Sequence, residues 1–202
     1  MLEQVSKIQR HSADAKTEIS MQKNGYFFAD RTLLASINLS RCTIDAKKLI
    51  RMPIQRTKKY KDEIFEIAKK SFPYDRRFHL NPDCDDKIAE IEIKKWVYEL
   101  DEVLVCFYKD ILIGFLALKE TDKDTLFVHL AAVDEKYRLT GAAMSLYARA
   151  IEIAQEKGYK KLEGRISTQN TPVMNLYAHL GASFSEPEDI FIENTNEESH
   201  ES

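Results

Sequence analysis

The sequence lacks long hydrophobic runs, an excess of positive charge and any regular spacing of cysteines. No apolar run approaches the roughly 18–20 residues of a membrane helix, and the N-terminus has no apolar core of a signal peptide. A net charge of −3 and a pI near 6.0 argue against a general nucleic-acid-binding protein. We therefore expect partners that are neither nucleic acid nor membrane.

The three cysteines, Cys42, Cys84 and Cys106, form no CxxC pair and no Cys/His ligand spacing. An odd number of thiols without such spacing is typical of reduced residues that serve packing. This pattern predicts a cytoplasmic protein, and we find no constellation of residues that would bind a metal.

What is present is the composition of one globular domain, with 44% hydrophobic and 31% charged residues in a chain of 202. Residues before 40 are irregular apart from a strand predicted at 33–39, and 40–59 is predicted as a connecting segment. The remaining pattern reads helix, helix, hairpin, strand, helix, strand, helix, strand. This order predicts an α/β fold in which antiparallel strands lead into a βαβ unit. The main predicted elements lie at 103–118 (the hairpin), 125–133, 141–157, 161–166, 171–181, 184 and 190–192.

One strand-to-helix junction in this pattern has residues suited to binding a ligand. A short apolar strand ends at Val133, and small apolar residues recur at helical spacing from Ala143 onwards. Between them, Gly141 permits close backbone approach and Arg138 adds a positive charge. Such a turn can offer backbone N–H groups and a helix N-terminus to a phosphate. Taken alone, a turn with one glycine is more often an ordinary strand-to-helix junction.

Two motifs in order favour the phosphate interpretation. The segment Arg138–Ala143 resembles the Arg/Gln-x-x-Gly-x-Gly/Ala signature of GNAT N-acetyltransferases, with Ala143 in place of the second glycine. The segment Asn170–Ala182 resembles the Asn-x-x-Ala-x-x-Leu-Tyr-x-x-x-Gly-Phe block of the same family, with Ala182 in place of the phenylalanine. The resemblance covers residues 100–193. It implies the GNAT fold, a mixed and mostly antiparallel sheet with a βαβ unit flanked by helices.

The resemblance also implies acetyl-CoA as acetyl donor, with no metal, and a small-molecule amine as acceptor. The pyrophosphate would lie on the backbone amides of the first motif, and the pantetheine arm would add to the edge of the preceding strand. Asn170 would hydrogen-bond the cofactor. The implied cofactor-binding residues are Leu130, Ala131, Ala132, Val133, Arg138, Leu139, Thr140, Gly141, Ala142, Ala143, Asn170 and Tyr177.

Two residues are catalytic candidates. The Tyr177 hydroxyl would return a proton to the departing thiolate, since a phenol is a plausible proton donor; the alternative is a tyrosine that packs in the core. His129, on the strand before the first motif, would deprotonate the acceptor ammonium directly or through water. The alternative for His129 is a hydrogen-bonded structural residue. Glu163 and Asp134, carboxylates at strand ends, are less favoured candidates for this base than His129.

A narrower resemblance concerns the acceptor. The segments Ser71–Pro82 and Arg165–Asn170 resemble the GNAT branch of nucleotide-sugar N-acetyltransferases, which acetylate sugars such as dTDP-4-amino-4,6-dideoxygalactose for surface polysaccharides. Arginine binds phosphate through two parallel hydrogen bonds, so this resemblance implies a sugar-nucleotide site. The alternative is a solvated loop with a salt bridge to Asp75. The implied acceptor residues are Arg76, Arg77, His79 and Gln169.

These inferences predict an N-acetyltransferase for a primary amine, with a nucleotide-linked amino sugar as the favoured acceptor and homodimerisation as an option. A polyamine, an antibiotic or a protein amine is the alternative acceptor, and a non-catalytic CoA-binding module is the alternative function. Residues 1–50 resemble part of the N-terminal subdomain of the nucleotide-sugar branch and lack its opening strands. We predict the acetyltransferase domain at 51–193 and a disordered tail at 194–202.

Overall fold

The computed structural model describes residues 8–71 and 75–194. Eight strands form one sheet, and the helices pack on its two faces. The strands are β1 Ile8–Ser12, β2 Tyr26–Asn38, β3 Ile54–Thr57, β4 Val103–Tyr108, β5 Ile111–Glu120, β6 Thr125–Val133, β7 Lys161–Ser167 and β8 Ser183–Glu193. The helices are α1 Ala15–Lys23, α2 Ala46–Leu49, α3 Lys61–Ser71, α4 Arg76–His79, α5 Asp86–Glu99, α6 Ala142–Glu156 and α7 Thr171–His179, with a 3₁₀ helix at Glu135–Thr140.

The order of strands across the sheet is β1-β8-β2-β7-β6-β5-β4-β3. All neighbouring strands run antiparallel except β6 and β7, which are joined by the crossover through α6. The long strand β2 lies between β7 and β8, so a segment from early in the chain completes the C-terminal half of the sheet. The predicted fold class is confirmed: antiparallel strands lead into a βαβ unit.

Two apolar clusters hold the layers together. On one face, α6 and α7 pack against the sheet, and Leu146, Ile151 and Tyr177 are fully buried there. On the other face, α3 and α5 bury Ile64 and Ile93 against Phe115. Residues of β7 alternate in the same way: Leu162 and Ile166 join the α6 cluster, so the side chains between them point to the opposite face.

The differences from the sequence predictions lie mainly at the margins of the sheet. The hairpin of β4 and β5, strand β6 and helices α6 and α7 lie where they are predicted. Strands β1 and β3 are not predicted, because they are the two edge strands; β3 buries only Thr57 and offers little apolar alternation. The separate strands predicted at 184 and 190–192 are one strand, β8.

Two of the predicted segments fall partly on residues that the structure does not describe. Residues 195–202 of the predicted tail, and Phe72–Tyr74 of the acceptor motif, lie outside the described residues. Within residues 8–71 and 75–194, no helix is long and apolar enough to cross a membrane. The cytoplasmic location and the homodimer stay predictions.

Candidate active site

Strands β6 and β7 separate soon after they meet, and this opens a gap in the sheet. Their parallel pairing joins only three residue pairs, the last of which is Phe127 with Glu163. Beyond that point β6 keeps its partners in β5, and β7 keeps its partners in β2. The facing edges of 128–133 and 164–167 therefore have no strand between them among the described residues. The predicted cofactor residues Leu130, Ala131, Ala132 and Val133, all half-buried, line this gap.

Tyr177 lies at the apex of the gap. Its side chain is fully buried, and its hydroxyl has no hydrogen-bond partner among the described residues. The hydroxyl oxygen is 2.1 Å from the position that a Cβ atom on Gly164 would take, and the Val128 Cβ is 3.5 Å from that position. The ring packs edge-on against Tyr147, with ring centroids 5.1 Å apart. The bare backbone of Gly164 thus leaves room for the hydroxyl where the strands part.

Burial raises the pKa of Tyr177 well above its usual value, and the neighbouring Tyr147 adds to the effect. The phenol therefore keeps its proton at any physiological pH and is available as a hydrogen-bond donor. An unpartnered donor in a buried position costs free energy unless a ligand accepts from it. Sequence reasoning predicts Tyr177 as a site residue, but the part played by Gly164 is visible only in the structure.

His129 is the extra residue of a β-bulge in β6, since Val128 pairs with Leu118 and Leu130 with Ala117. The ring is exposed, and it lines a cavity with Ile153 and Lys157, residues at the C-terminal end of α6. Partial burial, followed by the charge of Lys119, lowers the pKa of His129. The imidazole is therefore neutral at pH 7. The structure does not place His129 with Tyr177, because Tyr177 does not line this cavity.

The first motif forms an open turn at the N-terminus of α6. The 3₁₀ helix ends at Thr140, and Gly141 adopts φ +85°, a left-handed conformation that favours glycine. No side chain caps α6, so the amides of its first turn are available to a ligand. Arg138, Leu139, Thr140 and Gly141 are exposed, Ala143 is half-buried and Ala142 is buried. Arg138 forms no ion pair with the described residues.

The second motif begins at the end of the other strand of the gap. Asn170 caps α7, and its side-chain oxygen accepts a hydrogen bond from the Val173 amide at 3.3 Å. Its Nδ2 group therefore remains for a ligand. Gln169 is exposed, and its backbone N–H donates to the Ser167 hydroxyl at 3.1 Å. Both residues lie just beyond β7.

The two arginines predicted to bind the phosphates of the acceptor instead form contacts within the protein. Arg77 forms an ion pair with Asp75 and lies over the Trp96 ring, with 5.4 Å between the guanidinium carbon and the ring centroid. This is the salt-bridged loop that the sequence leaves as the alternative. Arg76 donates from Nε to the carbonyl oxygen of Ala29 in β2. His79, which is also predicted to bind the acceptor, is exposed, whereas both arginines are half-buried.

Sequence reasoning does not identify Asp30, a buried carboxylate beside β7. Asp30 lies on the face opposite α6, because it alternates along β2 with Ala35 and Ile37, which pack on the α6 side. One of its oxygens, Oδ1, accepts from the Ser167 hydroxyl at 3.0 Å and from the Arg31 amide at 2.8 Å. Burial raises the pKa of Asp30, and the charge of Asp75 adds to this against a lowering by Arg76. No sequence pattern identifies Asp30, because in the sequence it is a single polar residue within a strand.

Comparisons with known proteins fit this geometry. A family model described as the acetyltransferase (GNAT) family matches residues 61–182, more than half of the chain. This chain belongs to the GNAT acetyltransferase family. The match spans both motifs, the gap and Tyr177, so the resemblance expected from the motifs is confirmed at the level of the family. No curated protein matches the sequence.

Several solved structures share the fold of this chain. A functionally unknown conserved protein from Staphylococcus epidermidis is 15% identical, with a TM-score of 0.67 over 91% of this chain and 69% of that one. A GCN5-related N-acetyltransferase from Sphaerobacter thermophilus is 14% identical, with a TM-score of 0.60 over 93% and 60%. A GNAT-family acetyltransferase from Colwellia psychrerythraea is 13% identical, with a TM-score of 0.57 over 92% and 63%. At such identities the likeness shows the fold and leaves the substrate open.

The GNAT family uses acetyl-CoA, and no metal centre is apparent in the described part of the chain. Within it, no three His, Cys, Asp or Glu side chains are grouped so that they could hold a metal ion. Buried Cys106 has its pKa raised to about 11 by burial, so its thiol is protonated at neutral pH. A protonated thiol is neither a metal ligand nor a nucleophile.

Proposed function

We propose that this chain transfers the acetyl group of acetyl-CoA to a primary amine. The observation that carries the proposal is the buried, unpartnered Tyr177 hydroxyl at the apex of the gap between β6 and β7. Membership of the GNAT family supports acetyl-CoA as the donor. The residues present fit this ligand, because the gap offers free strand edges, a protonated donor and an open helix N-terminus in sequence.

The free edge of 130–133 suits an extended arm that carries amide groups. Such an arm can hydrogen-bond along a strand as a further strand would. The amides at the start of α6 suit a pyrophosphate, since helix N-termini bind anions and Gly141 permits close approach. Arg138 adds a positive charge beside them, and the Nδ2 group of Asn170 is free to donate.

When bound, acetyl-CoA supplies an acetyl group activated as a thioester, which passes to the amine nitrogen as the carbon–sulfur bond breaks. Tyr177 holds a proton at its hydroxyl oxygen and donates it, as a hydrogen bond or outright, where negative charge develops. His129 would accept the proton lost by the acceptor ammonium only through a relay of water, because it lines a cavity at the C-terminal end of α6 and not the gap. Glu163 is the alternative acceptor, because it is the last paired residue before the gap and faces away from α6.

The acceptor has two candidates. The resemblance of Ser71–Pro82 and Arg165–Asn170 to nucleotide-sugar N-acetyltransferases supports a nucleotide-linked amino sugar. The contacts of Arg76 and Arg77 within the protein favour a second candidate, because they leave a diphosphate without its expected partners. That candidate is a cationic amine, for which Asp30 is a buried carboxylate on the open face of the sheet.

Two substitutions at Gly141 test the phosphate assignment. Asparagine and aspartate both tolerate the left-handed conformation, and a Cβ atom at this position meets no atom within 4 Å. The two variants should therefore fold alike and differ only in charge. We expect Gly141→Asp to bind acetyl-CoA at least about tenfold more weakly than Gly141→Asn, measured by titration calorimetry. Equal affinities would refute the pyrophosphate site.

The reaction itself is tested by thiol release from acetyl-CoA. A panel of amino-sugar nucleotides, polyamines and peptides is offered to the full chain, and the acetylated product is identified by mass. We expect release with at least one amine and none without an amine. Binding of acetyl-CoA without release in the presence of any amine would show a non-catalytic CoA-binding module.

A further inference from the structure

The face of the sheet opposite α6 is where an acceptor can approach the apex of the gap. On the α6 side, the apex is filled by Tyr147 and Tyr177. On the opposite side, α3 and α5 pack against β4, β5 and β6. The side chains of β7 that point to this side are polar: Glu163, Arg165 and Ser167. An acceptor that reaches the apex from this face must therefore pass along β7.

Asp30 lies beside the far end of that path. The residue is only 5% exposed, and Ser167, the last residue of β7, donates to its Oδ1 at 3.0 Å. Among the described residues, Oδ2 accepts no hydrogen bond and no cation lies within ion-pair distance. The other buried aspartate, Asp189, is paired with Arg31. Asp30 therefore has a free oxygen and no counter-ion.

The charged neighbours of Asp30 do not supply that counter-ion. The Nε group of Arg76 donates to the Ala29 carbonyl, and Asp75 is paired with Arg77. Asp75 raises the pKa of Asp30 more than Arg76 lowers it. A carboxylate removed from water without a partner is costly, and a bound cation relieves that cost.

Distance links Asp30 to the apex. Ser167 is three residues beyond Gly164, which places it about 10 Å from the apex at roughly 3.3 Å per strand residue. We infer that Asp30 binds a second cationic group of the acceptor, about 10 Å from the amine that is acetylated. The acceptor is then a linear diamine or polyamine whose far ammonium donates to Oδ2 of Asp30, next to Ser167. This inference rests on the proposed acetyl transfer.

The test compares an amine pair that differs only in the second charge. Thiol release is measured with 1,8-diaminooctane and with octylamine, for the native chain and for Asp30→Asn. Because a hydrogen bond to a charged group is stronger than a neutral one, we expect kcat/KM to favour the diamine by about tenfold or more. In Asp30→Asn this preference should disappear, while turnover of octylamine stays near the native rate.

Asp30→Asn keeps the oxygen that accepts from Ser167 and from the Arg31 amide, and removes only the charge. Its Tm should therefore equal or exceed that of the native chain; a lower Tm would indicate that the charge is structural and would count against the inference. Glu188→Gln is the matched control, because this carboxylate is already near Arg165, at 3.8 Å. It should keep the preference for the diamine.

The outcomes separate the inference from the proposed function. Acetylation of both amines at equal rates by the native chain would overturn the role of Asp30 and leave the acetyltransferase intact. Acetylation of amino-sugar nucleotides in preference to both amines would do the same. Calorimetry with 1,8-diaminooctane provides a readout without turnover. Equal affinity of the native chain and Asp30→Asn for the diamine would overturn the inference, whereas failure to acetylate any amine would refute the enzyme.

Discussion

The hydroxyl of Tyr177 loses its water on folding and gains no protein partner among the described residues. A buried unsatisfied polar group costs about 1–3 kcal/mol. Such a cost is typical of a residue that serves a ligand rather than the fold. On the other side of the sheet, Asp30 accepts hydrogen bonds through Oδ1, and its Oδ2 has no hydrogen-bond partner among the described residues. At the scale of single residues, the candidate site is therefore marked by incomplete hydrogen bonding.

Tyr177→Phe removes the unpartnered hydroxyl and keeps the buried ring. We expect the free energy of unfolding to stay the same or rise by up to about 1 kcal/mol, because a buried polar atom without a partner is lost. We expect kcat to fall by about 10- to 100-fold with little change in acetyl-CoA affinity. Urea denaturation and thiol-release kinetics measure the two effects. A clear loss of stability with normal turnover would show that the hydroxyl is structural.

The gap between β6 and β7 is a property of the two strands together. It depends on the early end of their pairing and on a residue without a side chain at the point where they part. A Cβ atom on Gly164 would lie 2.1 Å from the Tyr177 hydroxyl and 3.2 Å from the ring carbon that bears it. Because the ring is fully buried, it has little room to move away.

Gly164→Ala should therefore destabilise the protein by about 1–3 kcal/mol through overpacking. The double variant Gly164→Ala with Tyr177→Phe removes the atom in closest contact and should recover most of this loss. Urea denaturation of the two single variants and the double variant gives the coupling between the positions. Simple additivity of the two effects would show that the hydroxyl does not occupy this space.

The elements that surround the gap are the ones that the sequence predicts well. The hairpin of β4 and β5 and the strand β6 are rich in buried apolar residues, and α6 has a clear helical period. The edge strands β1 and β3 are not predicted, because half of their backbone groups face solvent and their side chains are mostly polar. The local signal is weak wherever the core contributes little.

The residues of the candidate site also differ in whether the sequence predicts them. Arg138, Gly141 and Tyr177 belong to motifs that are contiguous in sequence, so they can be predicted. Asp30 cannot, because its surroundings depend on pairing with strands more than a hundred residues away. For the same reason the intramolecular partners of Arg76 and Arg77 are invisible in the sequence.

At the scale of the whole molecule, a partly buried ion pair joins β2 and β8, two neighbouring strands from opposite ends of the sequence. Arg31 in β2 donates to Asp189 in β8 through two nitrogens, at 2.5 and 2.8 Å. The two side chains differ in exposure: Arg31 is 43% exposed and Asp189 only 1%. Loss of either partner therefore has a different consequence, because only one of the remaining charges can be solvated.

Arg31→Met leaves a carboxylate buried without a cation, and we expect a loss of about 3–5 kcal/mol in unfolding free energy. Asp189→Asn leaves an arginine that water can reach, and its cost should be smaller, about 1–2 kcal/mol. Urea denaturation at neutral pH measures both. Equal losses, or a larger loss for Asp189→Asn, would contradict this view of the pair.

The position of β2 also has a consequence for biosynthesis. Thr32 pairs with Ser167 on one side and with Glu188 on the other. During translation, at about 5–20 residues per second, β2 leaves the ribosome long before either neighbour exists. Until β7 and β8 emerge, both of its edges are open to other chains. The nascent protein therefore completes its sheet only after the last strand has been synthesised, and chaperone binding to β2 during that interval would protect it.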